Sequence, residues 1–155
     1  LLNARVFATV GSEAKLVRGR QLGADEVINH HTEDVPARVR ALTGGRGVDI
    51  VVEHVGQATW DRSVRSLAPA GRLVTYGNTT GYDAKIDLRF LFARQLSILG
   101  SFMGRKGELL QAAPFFFAGR ITPAIDRTFL LSEAAEAHTR LERSEQFGKI
   151  VLINP

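Results

Sequence analysis

Cysteine is absent from the 155 residues, which excludes disulfides, thiolate zinc sites, iron–sulfur clusters and a cysteine nucleophile within this chain. Any metal bound by these residues must use histidine and carboxylate ligands. Long apolar runs are also missing. The longest, Ala112 to Ala118 and Ile150 to Ile153, fall far short of the ~20 residues a membrane span requires, so no bilayer crossing is expected. No basic segment leads into an apolar core at the start, and a cytoplasmic location is the expectation. Three catalytic signatures are lacking as well: a Ser-His-Asp order, a paired-carboxylate pattern and a nucleophile elbow. The G-x-G-x-x-G phosphate loop is absent too. Gly45-Arg46-Gly47 resembles its beginning, but the third glycine is missing and the segment precedes a strand instead of following one.

The composition is that of a soluble globular domain, with 45% hydrophobic and 23% charged residues. Twenty Lys and Arg against 16 Asp and Glu leave a formal charge of +4. The basic residues are spread from Arg5 to Lys149 instead of forming a tract, and aromatics make up only 8% of the chain, so the charge reads as a solvated surface and not as a nucleic-acid footprint.

Short β-branched runs alternate with helical segments. Arg5 to Val10 predicts a buried strand closing at Gly11-Ser12, and Ser12 then opens a helix that ends at Gly23. Glu26 to Asn29 predicts a second strand. Thr32 opens a helix with Glu33, Asp34 and Pro36 in its first turn, ending at Thr43-Gly44-Gly45. Val48 to Glu53 is a third strand, Thr59 to Leu67 a helix, Arg72 to Tyr76 a fourth strand, and Gln95 to Phe102 contains a fifth. From Arg105 a helix should reach Ala118, kinked or restarted at Pro114, which lacks a backbone donor. Phe115, Phe116 and Phe117 cannot share one helix face, so at least one meets a partner or a deep local core. Ala124 to Leu131 and Lys149 to Ile153 are late strands around a helix capped by Ser132. Alternation with short loops predicts an α/β fold, a parallel sheet with helices on both faces. Leu1 to Ala4 reads as the last turn of a helix, so the chain is expected to be cut from something longer.

The end of the first strand carries the main chemical signal. An adenine-dinucleotide site that prefers NAD holds a carboxylate there, against the ribose 2′-hydroxyl. Here the residues are Thr9-Val10-Gly11-Ser12, followed by Lys15. A small hydroxyl residue, a helix N-terminus and a lysine suit a 2′-phosphate, which favours NADP(H) over NAD(H). His30-His31 sits on a strand-to-helix turn without a third metal ligand nearby, so surface histidines are the simpler reading. Glu53-His54 ends a buried strand, either as an ion pair or facing a ligand.

The runs Gly11 to Lys15, Leu22 to Asn29, Thr43 to Val52, Leu67 to Gly77, Gly119 to Ile121, Ala134 to His138 and Gly148 to Leu152 together resemble the medium-chain dehydrogenase/reductase superfamily, in order and in spacing. The nearest branches are the quinone oxidoreductases and the zinc-type alcohol dehydrogenases. The resemblance implies a Rossmann-like sheet lacking its first strand and glycine-rich loop, with residues 1–131 as the coenzyme domain and 132–155 returning to a catalytic domain outside this chain. That first strand is central in the family's sheet, so the Arg5 and Glu26 strands should separate from the others. By the same resemblance, Gly11, Ser12, Lys15 and His30 border the 2′-phosphate, although His30 stands where many quinone oxidoreductases carry tyrosine. Val55-Gly56 and Gly77-Asn78 border the adenosine and nicotinamide halves, and Phe102 ends the strand that contacts the carboxamide. The Leu96 to Phe102 edge implies a homodimer. The implied function is a coenzyme-binding fragment of an NADP(H)-dependent oxidoreductase that transfers hydride to or from a quinone, enone, alcohol or aldehyde, inactive alone, with no catalytic residue and no metal ligand of its own. The substrate would be a small molecule held by the missing domain. A zinc-dependent alcohol dehydrogenase, whose zinc ligands would lie outside this chain, and a non-catalytic nucleotide- or nucleic-acid-binding module are the alternatives.

Overall fold

The computed structural model describes residues 3–154. Of the helical turn expected over Leu1 to Ala4, Leu1 and Leu2 lie outside the described residues, and Asn3, with φ 52°, and Ala4 are not helical. The chain then alternates strand and helix: β1 (Phe7–Val10), α1 (Glu13–Gln21), β2 (Glu26–Asn29), α2 (Val35–Leu42), β3 (Val48–Glu53), α3 (Trp60–Arg65), β4 (Leu67–Thr75), α4 (Leu88–Ala93), β5 (Ser97–Gly100), α5 (Lys106–Phe117), β6 (Ile125–Leu130), α6 (Ala134–Glu142) and β7 (Lys149–Ile153). Every strand pairing is parallel, as the alternation predicts.

The sheet comes in pieces. β1 pairs with β2, β3 and β5 flank β4, and β6 pairs with β7. No ladder bonds join β1 to β3, which is the separation expected when a central strand is lacking. The first two pieces are held together by side chains instead. Ile28, Val35 and Val39 form a buried cluster against which Phe7, Leu42 and Val48 pack, so β3 shares a core with β2 and α2. A second cluster of Val64, Leu67, Leu73 and Leu96, with Trp60, Phe90 and Leu91 against it, seats α3 and α4 on one face of the three-stranded piece. On the other face Ile50 and Val52 are 59% and 65% exposed. Residues alternate across a strand, so these two mark one apolar stripe that nothing among the described residues covers.

Local chemistry moves several boundaries. The helix expected from Thr32 starts only at Val35, because Asp34 is its N-cap: the Asp34 carboxylate accepts from the Ala37 N–H at 2.7 Å, and Glu33 turns back to accept from the Asn29 N–H at 2.9 Å. Asp34→Ala should therefore cost about 1 kcal/mol, read as a melting-temperature drop of roughly 2–4 °C. An unchanged melting curve would show that the cap is already satisfied by water. The helix expected over Thr59 to Leu67 is confined to Trp60–Arg65, and β4 begins at Leu67. Pro69-Ala70-Gly71 lies inside β4 as an irregularity, with Ala70 at φ 59° and a register shift opposite Val48 and Ile50. α5 runs from Lys106 to Phe117 through Pro114 without a restart, although the proline has no N–H to offer the Leu110 carbonyl. Ser132 does not cap α6. A 3₁₀ turn, Leu131–Glu133, precedes that helix, and the Glu133 carboxylate accepts from the Leu130 N–H at 2.8 Å.

β6, the 3₁₀ turn, α6 and β7 form one β-α-β unit, and the expected division between residues 131 and 132 falls inside it. This unit docks on α1. The Arg18 guanidinium lies 3.5 Å from the Asp126 carboxylate and 4.8 Å from the Phe147 ring centre. By contrast, α5 has no buried residue, and Phe117 is 91% exposed.

Candidate functional site

Parallel strands leave their C-terminal ends, with the following turns and helix N-termini, along one edge, and open α/β sheets bind ligands at that edge. Two groups of residues gather there.

The first lies beyond β1 and β2. Gly11 follows β1 and has the rings of His30 and His31 folded over it: a Cβ at Gly11 would stand 3.4 Å from His30 Nε2 and 3.3 Å from His31 Nε2. The two imidazoles are 4.5 Å apart, centre to centre. Ser12 holds the N-cap position of α1 in an extended conformation, yet its hydroxyl makes no capping bond. Asn29, buried at the end of β2, fixes the turn that carries the histidines. Its amide donates to Glu13 at 2.7 Å and its carbonyl oxygen accepts from the His31 N–H at 3.1 Å. Glu13 and Glu33 are thus both spent on Asn29. Lys15 is close by but turned away, its ammonium donating to the Ser144 carbonyl at 2.6 Å. Arg62, on α3, reaches across to donate to the His30 carbonyl at 3.4 Å. Burial lowers the affinity of His30 for a proton, and the positive charges of His31, Arg62 and Lys15 lower it further. Two imidazoles therefore stand over Gly11, while Lys15 and Arg62, their cationic ends on the Ser144 and His30 carbonyls, add positive charge nearby. Of the expected residues, Gly11, Ser12 and His30 come together, and Lys15 contributes its field while its ammonium is tied elsewhere. His31 and Arg62 were not among the expected contacts. His31 was legible as a neighbour of His30, whereas Arg62 is 32 residues from His30 and carries no local signal.

The second group lies beyond β3 and β4. Val55-Gly56 and Gly77-Asn78 pack on each other. Gly56 has φ 89°, and a Cβ there would meet the Gly81 carbonyl oxygen at 2.5 Å and the Asn78 Cα at 3.0 Å, so only glycine fits. A Cβ on Gly77 would meet the His54 carbonyl oxygen at 2.9 Å. Glu53 builds this corner. Its buried carboxylate accepts from the Val55 N–H at 2.7 Å, the Gly56 N–H at 3.1 Å and the Thr59 hydroxyl at 2.9 Å, and also from the Ser63 hydroxyl. Burial alone would push the Glu53 carboxyl up, but these donors hold it below its ordinary value. Glu53 is therefore a scaffold and makes no ion pair with His54, whose ring instead leans on Tyr76 at 5.6 Å between centres. Phe102, beyond β5, is 93% exposed and joins neither group. Among the described residues, no cluster of three or more His, Asp or Glu gathers where it could hold a metal ion.

The fold and this edge define the class: a parallel α/β domain of the coenzyme-binding type. Residues 1–118 match the family model described as zinc-binding dehydrogenase, and the chain belongs to that family, within the medium-chain dehydrogenase/reductase superfamily. Among curated relatives, it is 34% identical to a quinone oxidoreductase of Pseudomonas aeruginosa over 98% of this chain and 50% of that protein. It is 32% identical to a 2-haloacrylate reductase of a Burkholderia species over 98% of this chain and 49% of that protein. Among solved structures, an NAD-dependent alcohol dehydrogenase superposes with TM-score 0.90 at 42% identity, covering 98% of this chain and 44% of that one. The chain spans about half the length of the curated relatives it matches.

Proposed function

We propose that this chain forms part of the coenzyme wall of an NADP(H)-dependent oxidoreductase acting on a quinone or enone, with the β1–β2 edge receiving the 2′-phosphate. The observation that carries this reading is the pair of imidazoles, His30 and His31, standing over Gly11, with Lys15 and Arg62 near enough to act on His30 and with Glu13 and Glu33 hydrogen-bonded to Asn29. A carboxylate at the end of β1 would repel a phosphate, and Gly11-Ser12 supplies none.

The fit to the coenzyme is partial. The 2′-phosphate side has charge and donors, and the Gly56 and Gly77-Asn78 turns offer a narrow backbone corner that a Cβ would fill. A glycine-rich loop for the pyrophosphate is absent from the sequence. The bound coenzyme would supply a hydride at nicotinamide C4. The residues here would bind and orient it: Ser12 and the basic cluster at the phosphate, Val55-Gly56 along the adenosine half, Gly77-Asn78 and the strand end at Phe102 toward the nicotinamide. No side chain of this chain is assigned to proton transfer, and the chain alone should turn over nothing. Substrate would be held by residues outside it, and a homodimer would form through β5, which is an edge strand. A second reading, an NAD-linked alcohol dehydrogenase, is favoured by the 42% identity to the solved enzyme of that title.

Titration of the chain with NADPH and with NADH, followed by nicotinamide fluorescence, separates these readings. At least tenfold tighter NADPH binding is expected, from charge-assisted bonds worth about 1.5–3 kcal/mol. Equal affinities, or tighter NADH, would overturn the NADP assignment. NADPH consumption with an added quinone or aldehyde would overturn the statement that the chain alone is inactive.

A further inference from the structure

Clustered basic groups usually include a lysine or arginine aimed at the anion. Here the geometry differs. Lys15 is tied to the Ser144 carbonyl and Arg62 leans on the His30 carbonyl, so the groups standing directly over Gly11 are two imidazoles. Each is neutral or cationic depending on pH, whereas lysine and arginine are always charged in this range. From α1 and its N-cap come Ser12, Glu13 and, turned toward Ser144, Lys15. The turn after β2 presents His31 and Glu33, and α3 presents Arg62. Glu13 and Glu33 are occupied by Asn29, and Glu33 also lies 3.6 Å from Arg38. The pair therefore stands among two cations and two carboxylates, and burial, His31, Arg62 and Lys15 outweigh the carboxylates in their effect on the His30 proton, so a second proton on the pair is unfavourable until an anion arrives.

We propose that the His30–His31 pair determines the preference for a 2′-phosphorylated nucleotide by taking up a proton when the phosphate dianion enters, so that the preference is itself dependent on pH. This rests on the reading of the β1–β2 edge as a 2′-phosphate site. The dianion cancels the local field, restores the imidazolium and receives a charge-assisted bond from it. A nucleotide with a free 2′-hydroxyl brings no such charge and takes up no proton. The lowered proton affinity of free His30 fits this cycle, since an already protonated imidazole would have no proton to gain.

The test uses the full chain with adenosine 2′,5′-bisphosphate and 5′-AMP as probes, because neither needs the nicotinamide half of the site. Calorimetric titrations between pH 6.5 and 8.0, in buffers of different ionisation enthalpy, give affinity and proton uptake together. That window stays above the second phosphate pKa of about 6. The bisphosphate should bind roughly two- to fourfold more tightly at pH 6.5 than at pH 8.0, with fractional proton uptake, whereas 5′-AMP should show neither effect. His30→Gln should bind the bisphosphate with an affinity that no longer changes between pH 6.5 and pH 8.0, and without proton uptake. An NMR titration of His30 supplies the direct readout: bound bisphosphate should raise its midpoint. A bisphosphate preference that is flat with pH, or a slope retained in His30→Gln, overturns the proposal and leaves the 2′-phosphate reading standing. Absence of any preference for the bisphosphate at either pH overturns both.

Discussion

Glu53→Ala should lose about 3–5 kcal/mol of folding stability, the largest effect expected of any single substitution at the candidate site. The Glu53 carboxylate accepts four hydrogen bonds within a ten-residue stretch, two from backbone N–H groups and two from hydroxyls. Alanine removes the acceptor and leaves those donors facing a space that is already shielded from water. Only Thr59 has an alternative, the Gly56 carbonyl at 3.3 Å. Glu53→Gln discriminates between acceptor and charge. Its carbonyl oxygen can keep the donors to Val55, Gly56 and Thr59, and its amide can donate to the Ser63 hydroxyl, so the loss should be nearer 1 kcal/mol. Urea unfolding of both variants at pH 7 gives the comparison. Near-parent stability of Glu53→Ala would show that the turn holds without its carboxylate. Because folding depresses the carboxyl, its contribution is present above the ordinary carboxylate value and disappears as pH falls through the lower folded value.

Asp126→Asn is the second. The Asp126 side chain is only 2% exposed, within a half-buried residue, and is gripped by Arg140 through Nε at 2.7 Å and Nη2 at 3.2 Å, by the Phe147 N–H at 3.0 Å and by Arg18 at 3.5 Å. The Arg140 guanidinium holds its carboxyl down to about 2, against the opposing effect of burial, with the Phe147 N–H and Arg18 adding to the depression. One carboxylate thus ties β6, α6, the turn before β7 and α1. Asparagine keeps one acceptor but turns an amide toward a guanidinium. Arg140 remains partly in water, at 22% exposure, so the loss falls below that of a fully buried broken pair, at about 2–3 kcal/mol. The melting temperature should drop by roughly 4–12 °C. The sign with pH follows from the depressed carboxyl: its stabilisation is complete above about pH 4 and is lost as the pH falls toward about 2. The parent should therefore lose stability steeply over that interval, and the variant should lose less. Superimposable acid-unfolding curves would show that other carboxylates control the transition.

The alternation of strand and helix was legible because it rests on local rules. β-Branched runs such as Val48 to Val52 prefer a pleated chain, and Gly23 and Gly44-Gly45 mark helix ends by backbone freedom. Boundaries failed where a side chain found a partner that spacing does not advertise, as when Asp34 and Glu33 stopped α2 from starting at Thr32, or when β4 absorbed Pro69-Ala70-Gly71 as a register shift. The candidate site divides in the same way. Gly11, Ser12 and His30 could be read from their position at strand ends, and Gly56 and Gly77 from turn chemistry.

The sequence by itself determined the α/β class, the family and the absence of a carboxylate at the end of β1, because each depends only on residue identity and order. Tertiary structure alone decided the rest. Arg62 came to His30 because α2 and α3 pack side by side, Lys15 was drawn off to Ser144 by the docking of the last β-α-β unit on α1, and Asp126 met both Arg140 and Arg18. Charges act through space over a few ångströms irrespective of the chain between them, so which of them meet is known only once the chain has folded.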